Sequence, residues 1–192
     1  MKKLLIIFIL FSSLVAQGQT INDLGQVIVT INKSNFDNRF IATKFCYPVN
    51  HGVMDGYYDA FPFQVYSKFM GGLHQGADIS KPGDPNIDLG DTIYCIANGR
   101  IVYAHNDIIM VLHKTNSLFV VSLYRHCMEL FVIDSEYVKC TQPIGRIGNC
   151  DGVYSAHLHF EIRTDLSIGI GTGYGTAKGY LNPMQYLESM IH

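Results

Sequence analysis

The sequence predicts a mainly β protein of antiparallel strands with one short helix near its C-terminal end. From Asp91 onward, short apolar runs are separated by turn signals, and strands at this density are typical of an antiparallel sandwich or barrel. Asn98-Gly99 lies between two β-prone runs and predicts a hairpin. Near the end, Asn182 can cap a helix in which Pro183 takes the first position.

Each strand is predicted from β-prone residues bounded by polar or glycine-containing segments. A polar turn around Asn116 separates two of the runs, and a glycine-rich loop over residues 169–179 precedes the helix, predicted to continue over residues 184–190. The predicted strands cover residues 92–97, 100–104, 108–113, 118–125, 130–133, 144–147 and 156–163.

The first residues of the chain have the pattern of a secretory signal peptide. Lys2 and Lys3 precede an unbroken apolar run over residues 4–11, and small residues follow. The run is shorter than the roughly 20 residues that a membrane anchor needs, and no nearby cysteine indicates a lipid anchor. We therefore expect an exported protein, periplasmic or secreted, that keeps no stable membrane anchor after cleavage.

Composition limits the classes of function. Without Lys2 and Lys3 the 14 basic residues fall to 12 against 16 acidic ones, a net charge of −4, whereas a nucleic-acid-binding protein normally has a basic excess. Five cysteines are present without a Cys-x-x-Cys pair, which argues against a zinc site made of thiolates. An odd number leaves at least one cysteine free or intermolecular, and Cys140–Cys150 is the first candidate for a disulfide.

Residues 156–163, Ala-His-Leu-His-Phe-Glu-Ile-Arg, carry the most informative pattern. Alternate side chains of a strand share a face, so His157, His159, Glu161 and Arg163 lie opposite an apolar face, with the two histidines about 6.6 Å apart. Imidazoles bind metals and carry protons at neutral pH. A strand facing solvent could also carry these residues without any function.

Residues 71–78, Gly-Gly-Leu-His-Gln-Gly-Ala-Asp, form a second cluster. Three glycines disfavour a helix, and on a straight strand His74 and Asp78 would be about 13 Å apart. Donor atoms that share one ion lie about 2.0–2.2 Å from it, so the segment must bend, and Gly76 permits a bend. Taken alone, an ordinary loop is the simpler interpretation.

Residues 124–126, Tyr-Arg-His, predict by themselves only a histidine where a strand meets a loop. Together with His74-x-x-x-Asp78 and His157-x-His159, in this order and at this approximate spacing, they resemble the lysostaphin-type zinc endopeptidases, also called LytM-type metallopeptidases. Within a resemblance that covers roughly residues 72–187, further matches lie at residues 88–91, 97–102, 144–148, 182–183 and 186–187.

The resemblance implies a fold, a metal site and an activity. The implied fold is an antiparallel β-sheet groove, a barrel-sandwich hybrid with a short C-terminal helix. His74, Asp78 and His159 are implied as ligands of one Zn²⁺ ion, and His126 and His157 as catalytic histidines that do not bind it. The implied activity is hydrolysis of peptide cross-links in bacterial peptidoglycan by a zinc-activated water, with stem or cross-link peptides as partners. We expect a monomer and no nucleic acid.

The chemistry of these residue types agrees with the implied roles. Three protein ligands leave a fourth position for water, whose pKa zinc lowers to about 7. No His-Glu-x-x-His motif supplies a glutamate base, so His126 and His157 are the expected proton carriers or oxyanion donors, in roles that the sequence does not divide. Glu161 and Arg163 could orient ligands, but solvent exposure is the expectation for both.

On this basis the chain divides into a signal peptide over residues 1–18, an N-terminal extension over residues 19–70 and a zinc metallopeptidase domain over residues 71–192. The extension either forms part of the groove or covers the metal, and the sequence leaves both open. One departure from the family pattern is Cys150, which replaces a usual Thr in the turn before His157.

Two other functions stay open. A non-catalytic relative would bind peptidoglycan or activate a separate amidase, but such relatives typically lose zinc ligands, which are all present here. An exported zinc-binding or zinc-buffering protein would not depend on His126 or His157. For a peptidase, the bond is either a glycine bridge or a direct cross-link between D-alanine and a diamino acid. Without a recognisable wall-binding repeat, and with cysteines that suit an oxidising periplasm, the direct cross-link is favoured.

Overall fold

The computed structural model describes residues 19–22 and 26–191, and the predicted signal peptide lies outside these residues. The described residues include two 3-10 turns (Asn38–Phe40 and Asn50–Gly52) and one α-helix, α1 (Pro183–Met190). The strands are β1 (Gln19–Ile21), β2 (Val27–Val29), β3 (Tyr58–Phe61), β4 (Tyr66–Ser67), β5 (Gly72–His74), β6 (Ala77–Ser80), β7 (Thr92–Tyr94), β8 (Gly99–His105), β9 (Ile108–Lys114), β10 (Phe119–Arg125), β11 (Cys127–Leu130), β12 (Tyr137–Val138), β13 (Pro143–Ile147), β14 (Leu158–Arg163), β15 (Tyr174–Gly175) and β16 (Tyr180–Leu181).

The largest sheet has the strand order β12-β8-β9-β10-β14-β6-β3, and β16 also pairs with β14. All of its described pairings are antiparallel. Tyr124 of β10 lies opposite Phe160 of β14, and Arg125 lies opposite His159. On the other side of β14, His159 lies opposite Asp78 of β6. The register therefore brings distant parts of the chain to one place in the sheet.

Smaller sheets flank the largest one. Strands β11-β13-β7 and β15-β5-β4 form two three-stranded sheets, and β1 pairs with β2. Only Gln75 and Gly76 separate β5 from β6, so the chain changes sheets between them. It changes sheets again at His126, between β10 and β11, where the backbone takes a left-handed φ of +67°. Two of the predicted site segments therefore lie at such transitions.

The two faces of the largest sheet pack against different hydrophobic clusters. On β9, Ile109 and Val111 belong to one cluster, whereas Met110 and Leu112 belong to the other, as the two-residue period of a strand requires. Phe36 from the N-terminal segment is buried in the second cluster. The segment before residue 70 therefore covers part of one sheet face.

The prediction of a mainly β, antiparallel fold with a short C-terminal helix is confirmed. The side chain of Asn182 accepts hydrogen bonds from the backbone N–H groups of Met184 and Gln185, and α1 begins at Pro183. The two runs predicted on either side of a polar turn around Asn116 are present as β9 and β10, which pair antiparallel. The described residues contain no helix that is both long and apolar enough to cross a membrane.

The prediction of a hairpin at Asn98-Gly99 is wrong. Strand β7 pairs with β13, and β8, which begins at Gly99, pairs with β9 and β12. A Cβ atom at Gly99 would lie 2.7 Å from the carbonyl oxygen of Leu112 and 2.8 Å from Nδ1 of His113. Glycine is therefore needed here because two strands approach closely, and not because the chain turns.

The candidate disulfide between Cys140 and Cys150 is absent, since all five cysteines are free. The thiol of Cys140 donates to the carbonyl oxygen of Ile96 at 3.5 Å. The Cys150 sulfur instead lies 3.1 Å from Nδ1 of His126. The turn between residues 140 and 150 thus directs its two thiols to different partners.

Candidate metal centre

Three side chains from three strands bring one polar atom each to a common point. His74 ends β5, Asp78 lies in β6 and His159 lies in β14. Nε2 of His74 is 2.9 Å from Nδ1 of His159. Oδ1 of Asp78 is 3.2 Å from the His74 nitrogen and 3.0 Å from the His159 nitrogen. The structure brings the three predicted ligands together, and their role as ligands stays a prediction.

Hydrogen bonds on the far sides of the two imidazoles determine which nitrogen carries the proton. Nδ1 of His74 lies 3.2 Å from the carbonyl oxygen of Pro62, which can only accept, so Nδ1 donates and Nε2 keeps its lone pair. Nε2 of His159 lies 2.9 Å from Oε1 of Glu161, which accepts when ionised, so Nδ1 of His159 keeps its lone pair. Three acceptor atoms therefore face one another.

This arrangement fits a divalent cation. Acceptor atoms 2.9–3.2 Å apart repel one another unless a positive charge lies between them. Ligand atoms of a tetrahedral zinc ion, at about 2.0–2.2 Å from it, stand roughly 3.3–3.6 Å apart, a few tenths of an ångström more than these separations. Two imidazoles and one carboxylate are also donors that zinc takes in catalytic sites.

The bend that joins His74 to Asp78 depends on close packing at Gly76. A Cβ atom there would lie 2.4 Å from the carbonyl oxygen of Phe160 and 3.1 Å from Cε1 of His159. A larger side chain would therefore push β14 away from the segment. The bend is present, although glycine is needed for this approach and not for a left-handed backbone.

Glu161 and Arg163 are 0% and 2% exposed, so the expectation that solvent exposes them is wrong. Glu161 accepts from Nε2 of His159 at 2.9 Å through one oxygen and from Nε of Arg163 at 2.7 Å through the other. Nη1 of Arg163 donates to the carbonyl oxygen of Ile168, which covers this face of β14. The buried side chains of Glu161 and Arg163 therefore hold the imidazole of His159 in one orientation.

Both carboxylates near the centre are ionised at neutral pH. Burial alone would raise the pKa of Asp78, but without a bound cation the neighbouring imidazoles of His159 and His74 hold it below its usual value. Burial would also raise the pKa of Glu161, but the Arg163 charge and the bond from His159 lower it to about 2. Against burial, Asp78 and Glu161 raise the pKa of His159, so a proton competes with a cation for Nδ1 in acid.

His126 and His157 lie beside the three converging atoms. Nε2 of His157 is 3.8 Å from Oδ1 of Asp78, and the ring centroids of His126 and His157 are 4.7 Å apart. Nδ1 of His157 donates to the carbonyl oxygen of Ser155 at 2.7 Å, so its Nε2 is an acceptor. Burial lowers the pKa of His126 by more than the Asp107 carboxylate, 3.7 Å from Nδ1, raises it, which keeps that ring neutral at pH 7.

A cleft of about 220 Å³ opens onto this group. Asp78, His126, His157 and His159 line it, whereas His74 is fully buried. The remaining lining residues are Ser67, Phe69, Met70, Tyr154, Thr172 and Tyr174.

Some contacts of the site could not be predicted from the sequence. The rings of Phe61 and Tyr174 both pack against the ring of His74, with centroid distances of 5.0 and 5.1 Å, and no local sequence pattern marks them. Asp107, 3.7 Å from Nδ1 of His126, is an aspartate in a turn, where this residue type is common. Glu161 does carry a signal, because the two-residue period places it on the face of His159.

The model of peptidase family M23 matches residues 72–172, more than half of the chain, and the chain belongs to this family. The matched range includes all five predicted site residues: His74, Asp78, His126, His157 and His159.

Two curated relatives are similar over a limited part of their length. Outer membrane antigenic lipoprotein B of Haemophilus influenzae is 34% identical over 103 residues, which cover 48% of this chain and 24% of that protein. The murein hydrolase activator NlpD of Escherichia coli is 35% identical over 94 residues, which cover 44% of this chain and 24% of that protein. The chain thus spans about a quarter of the length of these relatives.

A solved structure supports the same fold. The catalytic domain of the antimicrobial peptidase lysostaphin from Staphylococcus simulans superposes with a TM-score of 0.55 at 21% identity, covering 73% of this chain and 98% of that domain. At this identity the likeness shows the fold alone.

Proposed function

We propose that this chain is an exported zinc-dependent endopeptidase that hydrolyses cross-link peptides of bacterial peptidoglycan. One observation carries the proposal: the lone pairs of His74, Asp78 and His159 converge at a cleft, with His126 and His157 beside them. Membership of a peptidase family supports it.

His74, Asp78 and His159 would hold one Zn²⁺ ion. When bound, the ion would polarise the scissile carbonyl and lower the pKa of a water in its open position to about 7. The chain itself orients the ligands, since the Pro62 carbonyl holds the ring of His74 and Glu161 holds that of His159.

Hydrolysis requires one proton to leave the attacking water and one to reach the departing amine. The Nε2 lone pair of His157 lies toward Asp78, because Ser155 engages the Nδ1–H group. His126 is neutral and borders the same cleft. The two imidazoles accept a proton as the C–O bond forms and deliver one as the C–N bond breaks. A protonated ring can also donate to the oxyanion.

The substrate bond that we propose is the direct cross-link between D-alanine and a diamino acid. Phe69, Tyr154 and Tyr174 give the cleft aromatic surface for the small aliphatic side chains of such a peptide. One relative, named a murein hydrolase activator, supports a target in the cell wall.

The proposal includes the organisation expected from the sequence: a signal peptide over residues 1–18, an extension over residues 19–70 and a peptidase domain over residues 71–192. The outer-membrane lipoprotein name of one relative supports export to the periplasm or beyond. Within the extension, Ser67, Phe69 and Met70 line the cleft, which favours a role in shaping the groove.

A second function is favoured by the E. coli relative, which is named a murein hydrolase activator. An activator needs a surface for its partner enzyme and neither metal ligands nor proton carriers. A zinc-buffering protein needs the three ligands but neither His126 nor His157. The presence of all five residues around one cleft favours the enzyme.

Digestion of purified peptidoglycan distinguishes these functions. Zinc-loaded protein is incubated with peptidoglycan, alone or with an added amidase, and the released fragments are identified by mass spectrometry. We expect wild-type protein to release cross-link peptides unaided. The variants His126→Ala and His157→Ala should be slower by about 10²–10⁴-fold, and protein treated with a chelator should be inactive. The exposed His51, changed to Ala, is the matched control and should leave the rate unchanged.

Equal release by the wild type, both variants and the chelated protein would contradict catalysis at this site. Fragments that appear only with the amidase, and equally with His126→Ala, would identify an activator instead.

A further inference from the structure

A second group of metal-binding side chains adjoins the first. Nδ1 of His126 lies 3.1 Å from the sulfur of Cys150 and 3.7 Å from Oδ2 of Asp107. One ligand atom from each of the three residues lies within 4.8 Å of the other two. All three residues are partly exposed, so ions in solution can reach them.

Backbone hydrogen bonds hold the three loops that carry this group. The N–H of Cys127 donates to the carbonyl oxygen of Asp107 at 3.0 Å, and the N–H of Gly148 donates to that of His126 at 2.7 Å. His126 and Cys150 both have left-handed backbones, with φ of +67° and +51°. Non-glycine residues adopt this conformation only when the surrounding structure imposes it. The geometry is therefore built into the fold.

We propose that Asp107, His126 and Cys150 form a second site for a divalent cation, zinc or a softer ion such as cadmium. A carboxylate, an imidazole and a thiolate are all zinc ligands, and a thiolate favours softer cations. Two anionic ligands neutralise the charge of a divalent ion. Coordination deprotonates the thiol.

The second site has a consequence for the first, which rests on the proposed catalytic role of His126. The ring centroids of His126 and His159 are 6.1 Å apart, so His126 lies between the two groups. A cation on Nδ1 leaves the single proton of the neutral ring on Nε2. His126 can then donate a hydrogen bond but cannot accept a proton. Filling the second site would therefore slow any step in which His126 is the base.

Cadmium titration of the reduced, metal-free protein tests the site, because cadmium bound to a thiolate absorbs in the ultraviolet and the first group has no sulfur. We expect this absorption to saturate at one equivalent, to vanish in Cys150→Ser and to need more than tenfold higher cadmium in Asp107→Asn. Cys140→Ser, a change at another partly buried cysteine, should keep the signal. Thermal unfolding of each variant verifies that it is folded.

The same titration tests the two proposed sites separately. In His159→Ala the total bound cadmium should fall from two equivalents to one, while the sulfur absorption persists whether or not the protein is a peptidase. An absorption that survives in Cys150→Ser, or one that never develops in the wild type, would overturn the second site and leave the first untouched.

Discussion

Glu161 determines how His159 is presented to a metal ion. Its carboxylate accepts from Nε2 of His159 on one oxygen and from the guanidinium of Arg163 on the other. Since a neutral imidazole has one proton, this bond leaves the lone pair on Nδ1. All three residues are buried, so water cannot replace the carboxylate.

We predict that Glu161→Gln weakens zinc binding about 10–100-fold, the usual effect of losing a carboxylate that holds a metal-bound histidine. Glutamine keeps the shape but neither the charge nor the fixed acceptor. The measurement is competition for zinc with a chromophoric chelator.

Glu129→Gln is the matched control, because Glu129 pairs with Arg146 at 3.1 Å on the surface, where both side chains are about half exposed. This change should leave zinc affinity as it is. If both variants bind zinc like the wild type, Glu161 does not act through His159.

At the scale of single residues, the spacing of residues along a strand predicted which face of the sheet each side chain lies on, but not whether that face is buried. The two-residue period correctly placed Glu161 and Arg163 on the face of His159. The sequence could not show that a loop near Ile168 covers that face, since the contact depends on tertiary packing. Gly99 is a similar case, because a turn and a close approach of strands both require glycine.

At the scale of elements, the β9–β10 pair contains a buried histidine that should make stability depend on pH. His113 is 0% exposed; its Nδ1 donates to the carbonyl oxygen of Asn98, and Nε2 accepts from Ser122. Burial lowers the pKa of His113 from 6.5 to about 4. The unfolded chain is therefore protonated first as pH falls. The stabilisation is complete above pH 6.5 and is lost between pH 6.5 and about 4.

We predict that His113→Gln reduces the dependence of stability on pH. The difference in unfolding free energy between pH 7.5 and pH 5 should shrink by about 2 kcal/mol relative to the wild type. Urea denaturation at the two pH values measures it. His51→Gln, at an exposed histidine, should leave the difference as it is; a wild-type difference in His113→Gln would mean that His113 does not cause it.

Elements with local signals were predictable, and their partners were not. Asn182 and Pro183 supply the cap and the first residue of α1 from within a few positions, so the helix was predicted correctly. Strand β7 pairs with β13, roughly 50 residues away in the chain, and the nearby turn signal at Asn98 does not reveal this choice.

At the scale of the whole molecule, the proposed ion would join strands of two sheets, since β5 belongs to one and β6 and β14 to another. We predict that zinc at 100 times its dissociation constant stabilises the fold by about 2.7 kcal/mol. This raises Tm by roughly 5–10 °C for a domain of this size. Calorimetry with and without a chelator measures the shift.

The comparison is made in Cys150→Ser, so that the second cation site does not contribute. Adding His159→Ala to this variant should abolish the difference in Tm between protein with and without the chelator. The same shift with His159 removed would place the stabilising ion elsewhere.

The family motif, read from three short segments, predicted that the side chains of His74, Asp78 and His159 meet at one point. No single segment predicts this. Distances within the triangle of His74, Asp78 and His159 follow from the antiparallel register of β6 with β14 and from the passage from β5 to β6 at Gly76. Both are properties of the assembled sheets and not of local sequence.

The most direct test is the anomalous scattering of zinc in crystals of the protein grown with zinc. The account predicts a peak bonded to Nε2 of His74, Oδ1 of Asp78 and Nδ1 of His159, at about 2.0–2.2 Å from each. Zinc-containing crystals with no peak between these three atoms would contradict it.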